Sequence, residues 1–186
     1  AGSVAPVEDC YRPDRSRGLA SRGEHRALVR VLASAGVDVL LCETFPHPDE
    51  ALVAVEEALA TGLPTWLALT AGPDADLMTP ATMRACAARA VALGAECVLV
   101  NCVPVLACAP YVDALAGFGV PFGVYANAGA PDDAFGWTST PCEAERYADA
   151  MERFIDAGAT VVGGCCGTGP AHIAALQRRY DSTSMS

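Results

Sequence analysis

Short aliphatic runs alternate with longer amphipathic stretches along most of this chain. Five runs have the length and the β-branched or aliphatic composition of buried parallel strands, with little polar alternation. A sixth run stands at the start of the sequence. The predicted strands are Ala1–Val4, Val37–Cys42, Thr65–Leu69, Cys97–Val100, Pro121–Ala126 and Thr160–Val162.

Helical patterns fill the intervals between these strands. The first spans about Glu24–Ala35 and carries an apolar stripe, and the second spans about Asp49–Thr61. Thr79-Pro80 places a capping residue before a first-turn proline, and Thr140–Glu143 fits a capping box, so both mark helix starts. The stripe of the first helix consists of Leu28, Val31 and Leu32, and two further helices begin near Cys108 and Pro170.

The alternation of strands and helices implies a parallel sheet with right-handed crossovers. Either an open doubly wound sheet or a closed barrel satisfies this pattern. No Gly-x-Gly-x-x-Gly follows a predicted strand, so the dinucleotide-binding version of the open sheet has no support. The nearest candidate, Asn127-Ala128-Gly129, does not complete the motif.

The length and the net charge of the chain limit the classes of function that it can have. The 186 residues suffice for one domain with its own core, which we place at residues 1–180, followed by a polar tail over 181–186. The net charge of −10 disfavours nucleic acid and anionic membrane surfaces as partners. No apolar run approaches the roughly 18 residues of a membrane span, and no secretory signal is visible. We therefore expect a cytoplasmic protein.

The use of lysine and cysteine is informative. Lysine is absent, which excludes a Schiff-base lysine, a pyridoxal phosphate lysine and a P-loop lysine within this chain. The nine cysteines are an odd number, which argues against a full disulfide framework. Reduced thiols, some of them metal ligands, fit the sequence better.

The residues with chemical potential follow the predicted strands. Glu43, Asn101-Cys102, Asn127 and the segment Gly163–Thr168 each come at the carboxyl end of a strand. Parallel β/α folds place their sites on that face. We therefore expect Cys102 to converge with Cys165 and Cys166, which lie within the last of these segments.

Three thiolates at one point suit zinc. Zinc takes Cys sulfur in tetrahedral geometry, and three protein ligands leave one position open, as in catalytic sites. Adjacent cysteines such as Cys165 and Cys166 rarely pair with each other as a disulfide. We expect Gly163, Gly164 and Gly167 to permit the sharp turn that one metal would need. The alternative is that these cysteines are simply buried thiols.

At these residues the sequence resembles the homocysteine S-methyltransferase family. The piece Gly-Gly-Cys-Cys-Gly-Thr is highly specific, and the matching pieces occur in the family's order along nearly the whole chain. They are Ala1–Val4, Glu43–Pro46, Val100–Cys102, Tyr125–Gly129, Gly163–Thr168 and Pro170–Ile173.

The resemblance implies a β/α barrel that binds zinc through Cys102, Cys165 and Cys166. It also implies that Glu43 holds the amino group of homocysteine. We expect Glu43 to be the catalytic residue, and Ser3, Asn101 and Asn127 to be further substrate-binding residues. Three of these roles have an alternative, in which Glu43 would form an ion pair with an arginine and the two asparagines would satisfy loop backbone groups. We interpret His172, at the start of the last helix, as structural.

The resemblance also implies an incomplete TIM-type (β/α) barrel. The six predicted strands resemble strands 3–8 of the eight in a TIM barrel. The Asp-Gly motif of the family's first strand and the donor-side residues of its second have no counterpart here. Six strands would leave two open sheet edges, so we expect a homo-oligomer or a partner chain to cover them.

The leading functional hypothesis is zinc-dependent transfer of a methyl group to the thiolate of homocysteine, which gives methionine. The broader family uses sulfonium compounds, betaine and methyl-folate as donors, and we favour a sulfonium donor. A second hypothesis is a catalytically inactive zinc- or ligand-binding subunit that needs a partner chain. A third is a zinc lyase or hydrolase, for which only Glu43 is an obvious base.

Overall fold

The computed structural model describes the backbone of residues 1–132, 136–138 and 141–183 and the side chains of residues 1–129 and 144–181. Strands and helices alternate along the chain. In order they are β1 (Gly2–Val4), α1 (Arg22–Ser34), β2 (Leu40–Phe45), α2 (Pro48–Leu59), β3 (Thr65–Leu69), α3 (Pro80–Leu93), β4 (Cys97–Pro104), α4 (Ala109–Leu115), β5 (Phe122–Asn127), β6 (Ala130–Asp132), β7 (Gly136–Thr138), α5 (Pro141–Asp156), β8 (Val161–Gly164) and α6 (Pro170–Thr183).

One parallel sheet with the order β1-β2-β3-β4-β5-β8 forms the frame. Neighbouring strands in this sheet follow each other along the chain, apart from a small antiparallel hairpin of β6 and β7 inserted after β5. The sheet does not close, so β1 and β8 are its two edges in the described part of the chain. The result is the incomplete parallel β/α barrel that the family resemblance implies, with all carboxyl ends of the strands at one rim.

Four strands, β2, β4, β5 and β8, reach further toward this rim than predicted, and β2 and β4 do so by the largest margins. Strand β2 continues to Phe45 and β4 continues to Pro104, so Glu43, Asn101 and Cys102 lie within strands and not after them. Polar residues marked the predicted ends, but polar side chains at a barrel rim remain compatible with backbone pairing. The short strands β6 and β7 were not predicted.

Helix α1 presents a different face to the sheet than predicted. Val31 is 64% exposed and Leu28 is 38% exposed, whereas Val29 and His25 are buried. Only Leu32 of the predicted stripe packs against the core. The predicted stripe was wrong because His25 takes an inward position, where it contacts Glu50 on α2. A prediction from hydrophobicity alone places leucine or valine at such a position.

Strand alternation gives the sheet two different faces. The helix-covered face carries the larger apolar core, with Val4, Leu40, Leu67, Val100 and Val124 fully buried. The opposite face, here called the inner face, corresponds to the lumen of a closed barrel. Its lower layer is apolar and contains Leu41, Trp66, Ala68, Cys97, Leu99 and Val161.

The polar residues of the inner face lie nearer the rim. By the same alternation, Glu43 follows Leu41, Asn101 follows Leu99, and Tyr125 and Asn127 share one face of β5. The parallel register pairs Asn101 on β4 with Tyr125 on β5, so polar residues from distant parts of the chain lie side by side on this face. The polar candidate residues therefore lie next to an apolar layer of the inner face.

The last helix, α6, continues to Thr183, past the domain boundary predicted at residue 180. Residues 184–186 lie outside the described residues, so the boundary and the tail over 181–186 stay predictions. The predicted capping box at Thr140–Glu143 also falls outside the described side chains. In the part of the chain that the structure describes, no helix is both long enough and apolar enough to cross a membrane.

A buried carboxylate ties the loop after β1 to the helix layer. Glu50, in the first turn of α2, is fully buried. Its Oε1 accepts a hydrogen bond from the Val7 amide at 2.8 Å and lies 3.2 Å from Nε2 of His25. The hydroxyl of Ser16 donates to its other oxygen. Burial alone raises the pKa of Glu50, but the hydrogen bonds from His25, Ser16 and Val7 lower it to about 2.

A second carboxylate, that of Glu57, is also buried and hydrogen-bonded, here between α1 and α2. Glu57 is 6% exposed, and Arg26 and Arg22 donate to its oxygens. Arg26 is the main cause that lowers the pKa of Glu57 to about 2, against an opposing effect of burial.

We expect acid to unfold this protein through these two carboxyl groups. Their folded-state pKa values lie below the ordinary value of about 4.3, so their stabilisation is present above about pH 4.5 and is lost as the pH falls toward 2. For Glu50 the loss is of order 2 to 3 kcal/mol. Chemical denaturation between pH 7 and pH 2.5 measures it.

The matched variants are Glu50→Gln and, at an exposed position, Glu96→Gln. Glu50→Gln should lower the stability at pH 7 and flatten the acid dependence, and Glu96→Gln should change neither. An unchanged acid dependence in Glu50→Gln would contradict the role given to Glu50.

Candidate metal and substrate site

Three cysteines meet at the rim. The sulfur atoms of Cys102, Cys165 and Cys166 all lie within 4.8 Å of one another. Cys102 is buried at the end of β4, and the other two are half-buried in the loop after β8. The sulfurs of Cys102 and Cys165 are in direct contact at disulfide range, with Cα atoms 5.7 Å apart, and Cys166 is a free thiol. The convergence predicted from the strand ends is present in the structure.

The loop after β8 is held in place by the end of β5. The Cys165 amide donates to the carbonyl of Ala126 at 2.8 Å, and the Ala128 amide donates to the carbonyl of Cys166 at 2.9 Å. The side-chain oxygen of Asn127 accepts from the Cys166 amide at 3.2 Å. Thr168 closes the turn by donating its hydroxyl to the Cys165 carbonyl at 2.7 Å.

The glycines around the cysteine pair have two different roles. Only Gly167 takes a left-handed backbone, with φ of 75°. Gly163 and Gly164 lie within β8 and provide space: a Cβ at 163 would be 3.3 Å from Cβ of Tyr125, and one at 164 would be 2.7 Å from Cβ of Thr168. Gly167 therefore supplies the turn's left-handed backbone, Gly164 leaves room for Thr168, which closes the turn, and Gly163 leaves room for Tyr125 on β5.

Irregular backbone re-aims the residues at the ends of β2 and β4. The register shifts between Cys42 and Phe45 and again between Asn101 and Pro104. Within these irregular segments Thr44 and Cys102 have positive φ, at 63° and 53°. Bulges of this kind turn a side chain away from its expected face. Cys102 thereby reaches the rim cluster from a position that strand alternation would assign to the helix-covered face.

Glu43 is held by two hydroxyl groups. Ser3 on β1 donates to its Oε1 at 2.5 Å, and Tyr125 on β5 donates to its Oε2 at 2.9 Å. Burial, the negative charge of Glu43 and this hydrogen bond raise the pKa of Tyr125, so the phenol remains a donor. No arginine forms an ion pair with Glu43 among the described residues. The alternative of an arginine partner for Glu43 therefore finds no support there.

Both predicted asparagines are buried beside the thiols. Nδ2 of Asn101 donates to the hydroxyl of Thr44 at 2.7 Å and lies 3.6 Å from the sulfur of Cys102. Its Oδ1 and the Nδ2 of Asn127 are buried without a hydrogen-bond partner within 3.5 Å. Buried polar atoms are nearly always paired, so these two atoms mark places for a ligand or water. The Cys166 amide in the loop satisfies Oδ1 of Asn127, but no loop group satisfies Nδ2 of Asn127 or Oδ1 of Asn101.

Two tyrosines near this site were missed from the sequence. Tyr125 stands two residues before Asn127, so strand alternation already places it on the same face and could have identified it. Tyr11 lies in the loop after β1, and nothing in its pattern indicates this position. Burial and the nearby thiols of Cys166 and Cys10 raise the pKa of Tyr11, whose side chain lies beside Cys166 and Asn127.

His172 lies behind the cysteine loop. Its Nδ1 accepts from the Gly169 amide at 3.1 Å, and its ring packs edge-on against Tyr147 with centroids 5.5 Å apart. Tyr147 in turn lies within hydrogen-bond distance of the carbonyls of Gly163 and Ala126. These contacts agree with the interpretation of His172 as a structural residue.

Three thiols outside the cluster are of a different kind. Cys42, Cys86 and Cys108 are buried, and burial raises the pKa of each to about 12. Such thiols stay protonated and do not bind metals readily. The rim cluster is the one group of three possible ligands found among the described residues. Its three thiols can form a Cys102–Cys165 disulfide or hold one metal ion together.

An open β/α barrel with a group of three thiols at the carboxyl ends of its strands defines the class of this protein. The solved structures it resembles share the fold. They include a protein described as a phosphonomutase from Burkholderia cenocepacia, with a TM-score of 0.58 at 20% identity over 96% of this chain and 74% of that one. A type I 3-dehydroquinate dehydratase from Clostridium difficile gives a TM-score of 0.52 at 12% identity over 92% and 64%.

The sequence comparisons are more specific. The family model for homocysteine S-methyltransferase matches residues 1–180, so the chain belongs to that family. A homocysteine S-methyltransferase of Escherichia coli is 34% identical over 96% of this chain, and a selenocysteine Se-methyltransferase of Brassica oleracea is 31% identical over 85%. A betaine–homocysteine S-methyltransferase of Danio rerio is 32% identical over 78%. This chain spans 62%, 48% and 41% of the lengths of these relatives.

Proposed function

We propose that this chain carries out zinc-dependent transfer of a methyl group to the thiolate of homocysteine, and that the donor is a sulfonium compound. The observation that carries the proposal is the group of Cys102, Cys165 and Cys166 at the rim of a family-typical fold. The cytoplasm, which keeps thiols reduced, suits this chemistry and is the location we propose.

The donor set fits zinc. Three sulfur atoms within 4.8 Å of one another match the ligand type and number of a catalytic zinc site. A disulfide between Cys102 and Cys165 would leave Cys166 unused, whereas zinc uses all three. Bound zinc would supply an open coordination position that favours the thiolate form of a fourth sulfur ligand over the free thiol, whose pKa is about 8.5.

The residues beside the thiols fit an amino-acid substrate. Glu43 offers a carboxylate that lacks a cationic partner among the described residues, which suits an α-ammonium group. The unpaired Nδ2 of Asn127 is a donor, and the unpaired Oδ1 of Asn101 is an acceptor. We propose that Glu43, Ser3, Asn101 and Asn127 together bind homocysteine.

The transfer itself is a displacement at carbon. Homocysteine releases its thiol proton to solvent on binding, its sulfur forms a new bond to the methyl carbon, and the bond from that carbon to the donor sulfur breaks. The donor leaves as a neutral thioether with the electron pair. The contribution of this chain is to hold the attacking sulfur and orient it, and such positioning accounts for several kcal/mol of the barrel enzyme's rate acceleration.

The test combines metal analysis with product formation. We expect chain purified under reducing conditions without chelators to contain about one zinc ion. With homocysteine, it should form methionine from S-methylmethionine or S-adenosylmethionine and not from betaine, as measured by mass spectrometry. Removal of zinc with a chelator should stop the reaction, and added zinc should restore it.

The other outcomes separate the alternatives. Zinc binding without methionine from any donor would favour the inactive zinc- or ligand-binding subunit that needs a partner. Reduced chain that binds no zinc would contradict the metal site itself. Methionine from betaine alone would retain the methyltransferase and overturn the sulfonium donor.

We further propose that a second copy of this chain, or a separate partner chain, covers the open edges of the sheet. Strand β8 is an edge, and beside it a cavity of about 450 Å³ is lined by Val161, Val162, Leu176 and the half-exposed Ile173. An apolar groove next to unpaired strand backbone is a site for association. Light scattering of the wild type should show an oligomer, and Ile173→Arg should shift it toward monomer. A strictly monomeric wild type would contradict self-association.

A further inference from the structure

The hydrogen bond between Tyr125 and Glu43 crosses the inner face of the sheet. Tyr125 is on β5 and Glu43 is on β2, and the strands β3 and β4 lie between them. The Tyr125 hydroxyl nevertheless reaches Oε2 of Glu43 at 2.9 Å. This contact spans two strands and holds the Glu43 carboxylate from the β5 side. Ser3 on β1 holds it from the other side by donating to Oε1.

The sequence gives Tyr125 the space for this contact. Its register partner on β8 is Gly163, where a Cβ would come within 3.3 Å of Cβ of Tyr125. The ring lies on the apolar layer formed by residues such as Leu99 and Trp66. Packing therefore holds the ring, and the hydroxyl at its end points to a single acceptor group.

With one hydroxyl on each oxygen, Glu43 has a fixed orientation and still has lone pairs free for a cation. Neither Ser3 nor Tyr125 carries a charge that would neutralise the carboxylate. A carboxylate held in this way binds an ammonium ion well, because no conformational entropy is lost in orienting the carboxylate when the ion binds.

We infer that Tyr125 is a positioning residue that fixes Glu43 for the α-ammonium group of the substrate and thereby selects amino-acid thiols or selenols over thiols that lack the amine. This inference rests on the proposed function. It adds to that function a positioning residue and a reason for substrate selectivity. Tyr125 acts through Glu43 and contributes to binding only when the ligand carries an ammonium group.

The first measurement tests the contact without any ligand. Thermal melts of Tyr125→Phe, Glu43→Ala and the double variant form a double-mutant cycle. We expect the loss of Tm in the double variant to be smaller than the sum of the two single losses, because both single changes remove the same hydrogen bond. Additive losses would overturn the contact.

The second measurement tests selectivity. Calorimetry of the zinc-loaded protein compares homocysteine with 4-sulfanylbutanoate, which is homocysteine without its amino group. We expect Tyr125→Phe to weaken homocysteine binding about 10-fold and to leave the affinity for the deamino ligand unchanged. A purely structural role would weaken both ligands to the same degree and would overturn the inference.

Tyr111→Phe is the matched control, since it also removes a buried phenol hydrogen bond, here to the Ala75 carbonyl at 2.7 Å. It should change neither ligand's affinity. A wild type that prefers homocysteine while Tyr125→Phe keeps the same preference would overturn the inference and leave the proposed function standing. A wild type that binds neither thiol would overturn both.

Discussion

Replacing Cys166 with alanine is expected to abolish zinc retention and methyl transfer together. Two sulfur ligands bind zinc far more weakly than three, because each coordinate bond contributes a large share of the binding free energy of about 10–16 kcal/mol found for complete thiol-rich sites. We expect the zinc content to fall from about one ion per chain to near zero after dialysis against a weak chelator, and methionine formation to fall at least about 1000-fold.

The matched control is Cys86→Ala. Cys86 is buried in α3 and is not part of the rim cluster, and burial raises the pKa of its thiol to about 12. Alanine is a good helix residue, so this variant should keep its zinc and its activity with only a modest loss of stability. Full zinc retention in Cys166→Ala would show that Cys166 is not a ligand.

Replacing Gly123 with alanine is expected to cause the largest loss of stability of any conservative change in the sheet. A Cβ at this position would overlap the carbonyl oxygen of Val161 and come within 2.7 Å of its carbonyl carbon. Backbone atoms cannot rotate away as side chains do, so β5 and β8 would have to separate. We expect a loss of at least about 3 kcal/mol and a fall in Tm of roughly 10 °C, measured by calorimetry.

Strand β8 leads into the cysteine loop, so Gly123→Ala should also reduce zinc binding. Gly23→Ala provides the contrast, because a Cβ at position 23 meets no atom within 4 Å and the residue lies in α1. That variant should be neutral or more stable by up to about 1 kcal/mol. Equal stability of the two variants would mean that β5 and β8 approach less closely than described.

The sequence alone was sufficient for the order of the six strands of the parallel sheet and for the thiol cluster. Aliphatic runs of strand length marked all six strands of the parallel sheet, and β3 has the predicted bounds. Parallel strands bring their carboxyl ends to one rim. For that reason Cys102 and the pair Cys165-Cys166, which are distant in sequence, could be expected to meet.

What the sequence could not provide was orientation. The inward turn of Cys102 depends on a break in register that no local pattern indicates. The bond from Tyr125 to Glu43 depends on how far β5 lies from β2 across the inner face, which is a property of the whole sheet. Helix α1 buries His25 because Glu50 lies opposite to it, and a hydrophobic pattern does not contain that information.

The left-handed backbone at Thr44 and Cys102 has a consequence for stability. A residue with a Cβ at positive φ is strained by about 1–3 kcal/mol, and a β-branched residue such as Thr44 is especially disfavoured there. The rest of the fold must offset this strain, so the rim is a locally frustrated part of an otherwise consistent barrel. Substitutions selected only for thermal stability would be expected to accumulate at this rim first, and to relax the geometry that brings Cys102 to its partners.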